Sequence, residues 1–411
     1  MNQLNFCSFT VCNVAYLHKA LSLAESYYVN VGEKINIFLF DKKRELGFLS
    51  DLANIFWIED LNIKNLEQLA FKYDIIEFST SLKPFLAMYL LQTYEKVIFF
   101  DPDTFLYDKI NSILVLLDEE EIVITPHYIT PQERGTELSQ SDVALMRFGA
   151  FNLGFFAIKK SDESMRFLKW WDERCQDLCY VEIQFGLATD QKWITVAPSF
   201  FPTLHISFDL GLNVAFWNLH ERKIKMSEQI DKFTVNDEFK LIFFHFSSFN
   251  EKEPLKLIKK TLGIDISKDI LLHKVIQKYN DILEKYKKLL VNLDKKYSYD
   301  FMNDGSFISP SLRRAYASIL PSGQFSKEHN PFDISGSVGI FAKKNFLLSK
   351  KSIGYTPLGI ENVDNNKLKF YLVNKLFRIL LYIIGPNQFA NISRLLVFLS
   401  SYRLNIKLWK I

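Results

Sequence analysis

Residues 96 to 107, KVIFFDPDTFLY, decide how the chain is read. Val97 to Phe100 is an unbroken apolar run of β-branched and aromatic types, the pattern of a strand buried on both faces. It runs straight into Asp101-Pro102-Asp103. Open α/β sheets hold their ligands in the crevice beyond the strand ends, so two carboxylates are released where a ligand would lie. Carboxylates in such a place are costly unless positive charge answers them. A divalent ion shared between them and a substrate diphosphate is one answer, because magnesium is typically held by one or two carboxylates plus phosphate oxygens. The plainer reading is an acidic turn after a strand, helped by Pro102. D-x-D by itself does not separate the two.

Upstream, strand and helix patterns alternate. Residues 4 to 11 read as a strand, 14 to 29 as an amphipathic helix and 34 to 40 as a second strand that ends at Asp41. Ile55 to Ile58 predicts a third short strand and Lys64 to Phe71 a short helix. Ser81 to Tyr94 predicts a helix opened by Ser81, with Pro84 in its first turn. The stretch carrying Asp101 is then about the fourth strand and a central one. Strands separated by helices imply a mostly parallel sheet with right-handed crossovers. Downstream, Asp108 to Leu117 reads as helix and Ile122 to Thr125 as strand. The polar segment Thr130 to Ser141 reads as a surface loop able to close over a site.

Composition bounds the function. The chain has 411 residues, 48% hydrophobic and 24% charged, which is ordinary for a globular protein and excludes disorder. With 38 Phe and 18 Tyr against 15 Gly, thick aromatic packing is expected. The 50 basic residues are balanced by 47 acidic ones, a net charge of +3, so the chain as a whole shows no nucleic-acid footprint. Cys7, Cys12, Cys175 and Cys179 do not follow a metal-finger spacing. They are expected as reduced thiols of a cytoplasmic protein, and the N-terminus lacks the basic and apolar regions of a secretion signal.

Four further stretches carry chemistry-bearing residues. In FGAFNLGFFAIKK, residues 148 to 160, Asn152 and Gly154 interrupt a β-prone aromatic run. A glycine there marks either a bulge or the close approach of another group. Residues 161 to 175 predict a helix capped by Ser161. Thr189-Asp190-Gln191 opens an apolar segment, and capping explains Asp190 better than it explains Gln191. Asn213, Trp217, Asn218 and His220 gather in DLGLNVAFWNLHER, residues 209 to 222. His245 stands inside the aromatic strand LIFFHFSSF, where a lone histidine is more often a hydrogen-bonded core residue than a ligand.

The order of these pieces, a strand ending in D-x-D, then F-N-x-G-F on a strand, D-Q at a helix start and H-F on a late strand, resembles nucleotide-sugar glycosyltransferases of the GT-A fold. The likeness covers about residues 1 to 250. It is closest to the retaining group of family eight, which includes glycogenin and bacterial lipooligosaccharide galactosyltransferases, and to relatives in bacterial surface-polysaccharide biosynthesis. The resemblance implies an open mixed, mostly parallel α/β sheet flanked by helices, and transfer of a hexose-type sugar from a nucleotide-sugar donor to a glycan, lipid-linked or protein acceptor. It makes Asp101, Asp103 and His245 ligands of Mn2+, with Mg2+ as substitute. Asp190 and Gln191 then lie beside the transferred sugar, and Asn152 and Gly154 belong to the donor and acceptor pocket, with Asn213 and Trp217 in a nearby specificity loop. Thr10, Cys12 and Asn13, after the first strand, receive the nucleoside. The family's H-F-x-G followed by a diphosphate-gripping lysine is here His245-Phe246-Ser247-Ser248, with Lys252 the nearest downstream candidate and Arg147 or Lys83 as substitutes.

Residues 251 to 411 are expected to form a mainly helical extension. Leu272, Ile276, Tyr279, Leu283, Tyr286, Leu290 and Leu293, three and four apart, predict a long amphipathic helix over 268 to 294. Residues 300 to 360, with clustered Gly, Ser, Pro and Asn around Arg313 and Arg314, read as irregular. From Asn365 to Ile411 there are eight Lys or Arg and no acid among many apolar residues. Leu376 to Ile384 is too short, with Arg378 inside it, to span a bilayer. Such a tail fits either peripheral contact with an anionic membrane or a helix with a solvated basic face. Two other function classes bear on the whole chain. Nucleotidyl transfer needs a Gly-rich loop that Thr10 to Ala15 lacks. A non-catalytic carbohydrate- or nucleotide-sugar-binding protein on the same fold has no need of the full set Asp101, Asp103, Asp190 and His245.

Overall fold

Seven strands form the central sheet of the computed structural model, which describes residues 5–48, 50–136, 141–229, 232–254, 269–325, 330–349, 367–401 and 403–405. In chain order they are β1 (Phe6–Cys12), β2 (Ile35–Leu39), β3 (Ala53–Trp57), β4 (Lys96–Phe100), β6 (Ile122–Pro126), β7 (Phe151–Lys159) and Leu204–Ile206, while β5 (Thr104–Leu106) leaves the sheet. Their spatial order is Leu204–Ile206, β6, β7, β4, β1, β2, β3. β4, β1, β2 and β3 run parallel, whereas β7 is antiparallel to both of its neighbours. β4 is thus the middle strand, and its residues from Val97 to Phe100 are completely buried. Phe99 stacks on Phe156 of β7 with ring centroids 5.1 Å apart, so aromatic pairs across the strands do much of the packing.

The helices of this layer follow their caps. α1 (Leu17–Val31) ends at Gly32, whose φ of 82° supplies the left-handed residue that stops a helix. Helix α2 (Leu66–Lys72) belongs to the second unit described below. Where one helix is expected over 81–94, α3 (Ile75–Ser81) ends and a shorter α4 (Lys83–Leu90), with Pro84 in its first turn, follows it. Ser81 does not open the second of them. Its hydroxyl donates to Phe78 O at 2.8 Å, which commits it to the helix before. α5 (Asn111–Glu119) and α6 (Asp142–Phe148) flank β6, and α7 (Asp162–Leu178) starts at a capping box in which Ser161 and Ser164 satisfy each other's backbone. α8 (Gln191–Ile194) is one turn. α9 (Ile270–Leu289) buries Leu272, Ile276, Tyr279, Leu283 and Tyr286, the stripe read from the sequence. It packs on Phe105, Phe244 and Phe246, with Tyr279 stacked on Phe246 at 4.0 Å.

The chain divides into two units, residues 1–64 with 75–298 and residues 65–74 with 299–411. α9 therefore belongs to the first unit, beyond the boundary at 250 that the sequence suggests. The second unit contains α2, α10 (Pro310–Ile319), α11 (Ser337–Lys344) and α12 (Lys367–Leu399). Irregular structure was expected from 300 to 360, but its described part includes α10 and α11. The Ser and Pro read as loop signals are caps there, since the Ser309 hydroxyl accepts from Leu312 N and Pro310 occupies the first turn. Arg313 is buried and donates to the carbonyls of Ala70, Phe71, Tyr73 and Tyr299 and to Asp300. A lysine cannot span that set with one ammonium. Arg313→Lys is expected to lower stability by about 2 kcal/mol, because buried carbonyls lose their donors. A urea titration followed by circular dichroism measures it, and an unchanged midpoint contradicts it.

α12 carries a kink at Gly385-Pro386, and Leu368, Tyr371, Leu376, Tyr382 and Ile383 are exposed along it. Among the described residues no helix is long and apolar enough to cross a membrane. The tip of the expected closing loop, 137–140, and the final stretch 406–411 with Trp409 lie outside the described residues.

Candidate metal and donor site

The site is assembled where β4 stops. Asp101 N donates to Gly154 O of β7 at 2.8 Å, which carries the chain out of the sheet while keeping it tied to its neighbour. Three residues later β5 begins and pairs antiparallel with Phe243–His245, setting His245 opposite Thr104. Phe246 N donates to Asp103 O at 2.8 Å. These bonds bring a residue from the end of the first unit's sheet region back onto the D-x-D turn. His245 Nε2 lies 3.2 Å from Asp103 Oδ1 and 3.7 Å from Asp101 Oδ2. One ligand atom from each of the three residues falls within 4.8 Å of the others, so the group can hold a metal ion.

The imidazole is oriented for that task. Asn213 Nδ2 donates to Thr125 Oγ1 and to Asn152 Oδ1, at 3.0 and 3.1 Å. That leaves its Oδ1 to face His245 Nδ1 at 3.3 Å. An oxygen there accepts the hydrogen of Nδ1, which leaves Nε2 as the ring nitrogen aimed at the two carboxylates. Asn213 itself has a φ of 53°, a left-handed conformation that asparagine tolerates better than most residues. Asn152 Nδ2 faces His127 Nε2 at 3.3 Å, and Trp217 and Asn218 both donate to His127 O. His127 was not singled out from the sequence. It follows β6 as Asp101 follows β4, and position at a strand end is the signal that identifies it.

Gly154 fits both readings of it. A register irregularity separates Ile124 and Pro126 in the pairing with β7, so the strand is locally uneven. In addition a Cβ at Gly154 would lie 2.3 Å from His245 Cε1 and 2.6 Å from Nδ1. Close approach of the imidazole is therefore a second reason for glycine.

Asp190 does not cap α8, since its side chain makes no capping bond. It is buried, with Oδ2 3.3 Å from Lys83 Nζ, and the same ammonium is 3.3 Å from Asp101 Oδ1 and donates to Leu153 O at 2.8 Å. Burial raises the Asp190 carboxyl above the usual range, with Lys83 opposing that and Asp101 adding to it. Burial lowers the Lys83 ammonium, but the charges of Asp101 and Asp190 outweigh burial and raise it. Asp103 is held at about 2: burial raises it, and the charge and hydrogen bond of His245 together with Lys19 more than reverse that. Gln191 is half-buried, accepting from Leu153 N at 3.4 Å and donating to Phe148 O at 3.2 Å.

A cavity of about 360 Å³ opens beside these groups, lined by Cys12, Asn13, Phe40, Thr80, Lys83 and Asp103 among others. Asn13 also accepts from Tyr16 N at 3.1 Å. Thr10, expected with Cys12 and Asn13, is fully buried within β1 and not among the residues that line the cavity. Of the lysine substitutes, Lys83 is engaged as above, Arg147 is exposed on α6, and Lys252 is exposed on the loop after His245.

No family model matches the chain. Among curated proteins it is similar to uncharacterised protein YfnF of Bacillus subtilis (strain 168), 26% identical over 274 residues, which are 62% of this chain and 86% of that protein. Among solved structures it is similar to the galactosyltransferase LgtC in complex with donor and acceptor sugar analogues, with TM-score 0.41 and 10% identity over 68% of this chain and 95% of that one. It is also similar to mouse xyloside xylosyltransferase 1, with TM-score 0.35 and 17% identity over 51% of this chain and 87% of that one.

Proposed function

We propose that the chain is a metal-dependent glycosyltransferase that moves a hexose-type sugar from a nucleotide-sugar donor to a glycan, lipid-linked or protein acceptor. The observation that carries this reading is the convergence of Asp101, Asp103 and an Asn213-oriented His245 beside the cavity that the two acids line. Two carboxylates and an imidazole suit manganese, with magnesium as substitute. A bound ion would supply a Lewis acid for the departing diphosphate. Cys12 and Asn13 would receive the nucleoside. Of the pair expected beside the sugar, Gln191 is half-buried and pinned by two backbone groups, so we assign it to the reacting carbon. Asp190, buried behind Lys83, is assigned to positioning that ammonium. The acids lining the cavity, Asp101 and Asp103, are both engaged with cationic or imidazole partners. Neither is left as a base for the acceptor hydroxyl, which favours retention, with a leaving phosphate oxygen taking the proton.

The test is manganese-dependent turnover across a panel of nucleotide sugars, read by mass. One donor is expected to be consumed with manganese and spared with a chelator. Absence of both turnover and metal-dependent nucleotide binding overturns the reading.

We also assign α12 to the surface of an anionic membrane, which suits a cytoplasmic enzyme with a lipid-linked acceptor. Its exposed Leu368, Tyr371, Leu376, Tyr382 and Ile383 supply apolar area, and Lys375, Arg378 and Arg394 supply charge without an acid nearby in sequence. Removing residues 366–411 is expected to abolish co-sedimentation with vesicles containing phosphatidylglycerol. Unchanged sedimentation would remove the assignment.

A further inference from the structure

A second cavity, about 610 Å³, adjoins the first through Tyr16 and Asp103, which line both. Its other walls include Lys19, Glu251, Lys252 and Lys287. Here cationic groups from α1 and α9 meet at Glu251, Lys287 being shared with Glu284 of its own helix at 2.6 Å. Lys19 Nζ is 3.5 Å and His18 Nε2 3.4 Å from Glu251 Oε1, and Lys287 Nζ is 2.9 Å from Glu251 Oε2. Lys19 is only 5% exposed, with its ammonium 4.3 Å from the centre of the Tyr16 ring. An ammonium so placed is costly without an anion beside it. In this structure the anion is Glu251.

Glu251 is the loop-borne partner of the set. Lys19 and Lys287 are held on helices, whereas Glu251 sits in the turn that follows Phe246, after Ser248 with a φ of 61°. Its side chain is 25% exposed, against 7% for that of Lys19. Burial raises its carboxyl, but hydrogen bonds from His18 and Lys287 and the charges of His18 and Lys19 prevail and hold it at about 2, so it is an anion at neutral pH.

We propose that Glu251 is a stand-in anion that occupies the diphosphate seat on Lys19 and Lys287 and yields it when the donor binds. The proposal rests on the glycosyltransferase reading above. Phosphate oxygens take the same N–H donors that a carboxylate takes, and they carry more charge to share with them. Asp103, which faces both cavities, puts the metal-binding group on one side of the seat and the ammonium groups on the other. The lysine that the sequence lacks after His245 is thereby replaced from α1 and α9, with Lys252 left at the exposed rim.

The test is calorimetric titration of the full chain, in manganese, with UDP, GDP, ADP, CDP and inorganic pyrophosphate. Lys19→Met and Lys287→Met are expected to weaken nucleoside diphosphate binding about tenfold or more, the loss expected of one charge-assisted hydrogen bond. Glu251→Gln keeps the size of the side chain and removes the competing charge, so binding should tighten by about threefold or more. A gain of affinity cannot come from misfolding, which protects the test against a poorly folded Lys19 variant. If the wild type binds one of these ligands and the variants bind it equally well, or Glu251→Gln binds it less well, the stand-in role is wrong and the enzyme reading survives. If the wild type binds none of them, the stand-in role falls, and the enzyme reading falls with it only where the donor panel also shows no turnover.

Discussion

Asp103→Asn is expected to leave the fold standing and to lower manganese-dependent donor turnover by more than about a hundredfold, since loss of a group one shell further from a metal already costs about ten- to a hundredfold. The substitution keeps the shape of the side chain. It also keeps the backbone bonds that build the turn, Thr104 N to Asp101 O and Phe246 N to Asp103 O, which do not involve the carboxylate. What disappears is one of two negative charges facing His245 Nε2, and with it an oxygen of the three-residue group. Asp103 is ionised at neutral pH, held at about 2 because the His245 and Lys19 charges outweigh its burial. An amide in its place offers a neutral oxygen that binds a divalent ion poorly. Manganese titration monitored calorimetrically should show weakened binding in parallel with the lost turnover. If instead the variant unfolds, with normal circular dichroism lost, the acids are a structural turn and the metal reading fails.

The main sheet was legible because its strands are long apolar runs with period-two or fully buried patterns, as in Val97 to Phe100 and Phe155 to Ile158, and burial on both faces leaves little else they can be. The stripe of α9 was legible for the same kind of reason, since three- and four-residue spacing survives without knowledge of partners. Ser81 was misread because a serine before a proline is the mark of a helix start, and only the structure shows its hydroxyl turned back to Phe78. The helices between 300 and 350 were hidden by their own caps, whose Ser, Pro and Gly look like loop from sequence.

Within the candidate site, Asp101, Asp103 and His245 were legible as a set only through the resemblance that the order of the motifs carries, and they do converge. His127, Lys19 and Lys287 were not legible. Each reaches the site through pairing or packing between segments far apart in the chain, and a lysine on an amphipathic helix has the sequence signature of a solvated face whether or not it is buried. Lys19, one of ten buried residues on α1, shows how little composition reveals about which lysine is inside.

Gly154→Ala should lower turnover by about a hundredfold, the effect expected when a catalytic group is displaced by about one ångström. Two effects oppose each other at this position. Gly154 has no positive φ, so an alanine there adopts the strand backbone without strain, and by itself would stabilise by about 0.4 to 1 kcal/mol through the unfolded chain. Against that, the new Cβ would stand 2.3 Å from His245 Cε1, 2.6 Å from its Nδ1 and 2.8 Å from Asn152 Oδ1. None of these neighbours is the free end of a flexible chain. His245 is fixed by Asn213 and by the Trp217 ring, 5.3 Å away centre to centre, and Asn152 is fixed by Gly154 N, Asn213 and His127. The imidazole must therefore move, and moving it breaks the bond that orients it. Overpacking of this kind costs about 1 to 3 kcal/mol, so the steric effect wins and the protein loses some stability as well. The decisive measurement is manganese affinity: it should fall in Gly154→Ala as it does in Asp103→Asn, although residue 154 offers no ligand. Unchanged manganese affinity with unchanged turnover would show that β7 can shift to admit the methyl group, and that the glycine serves the strand irregularity alone.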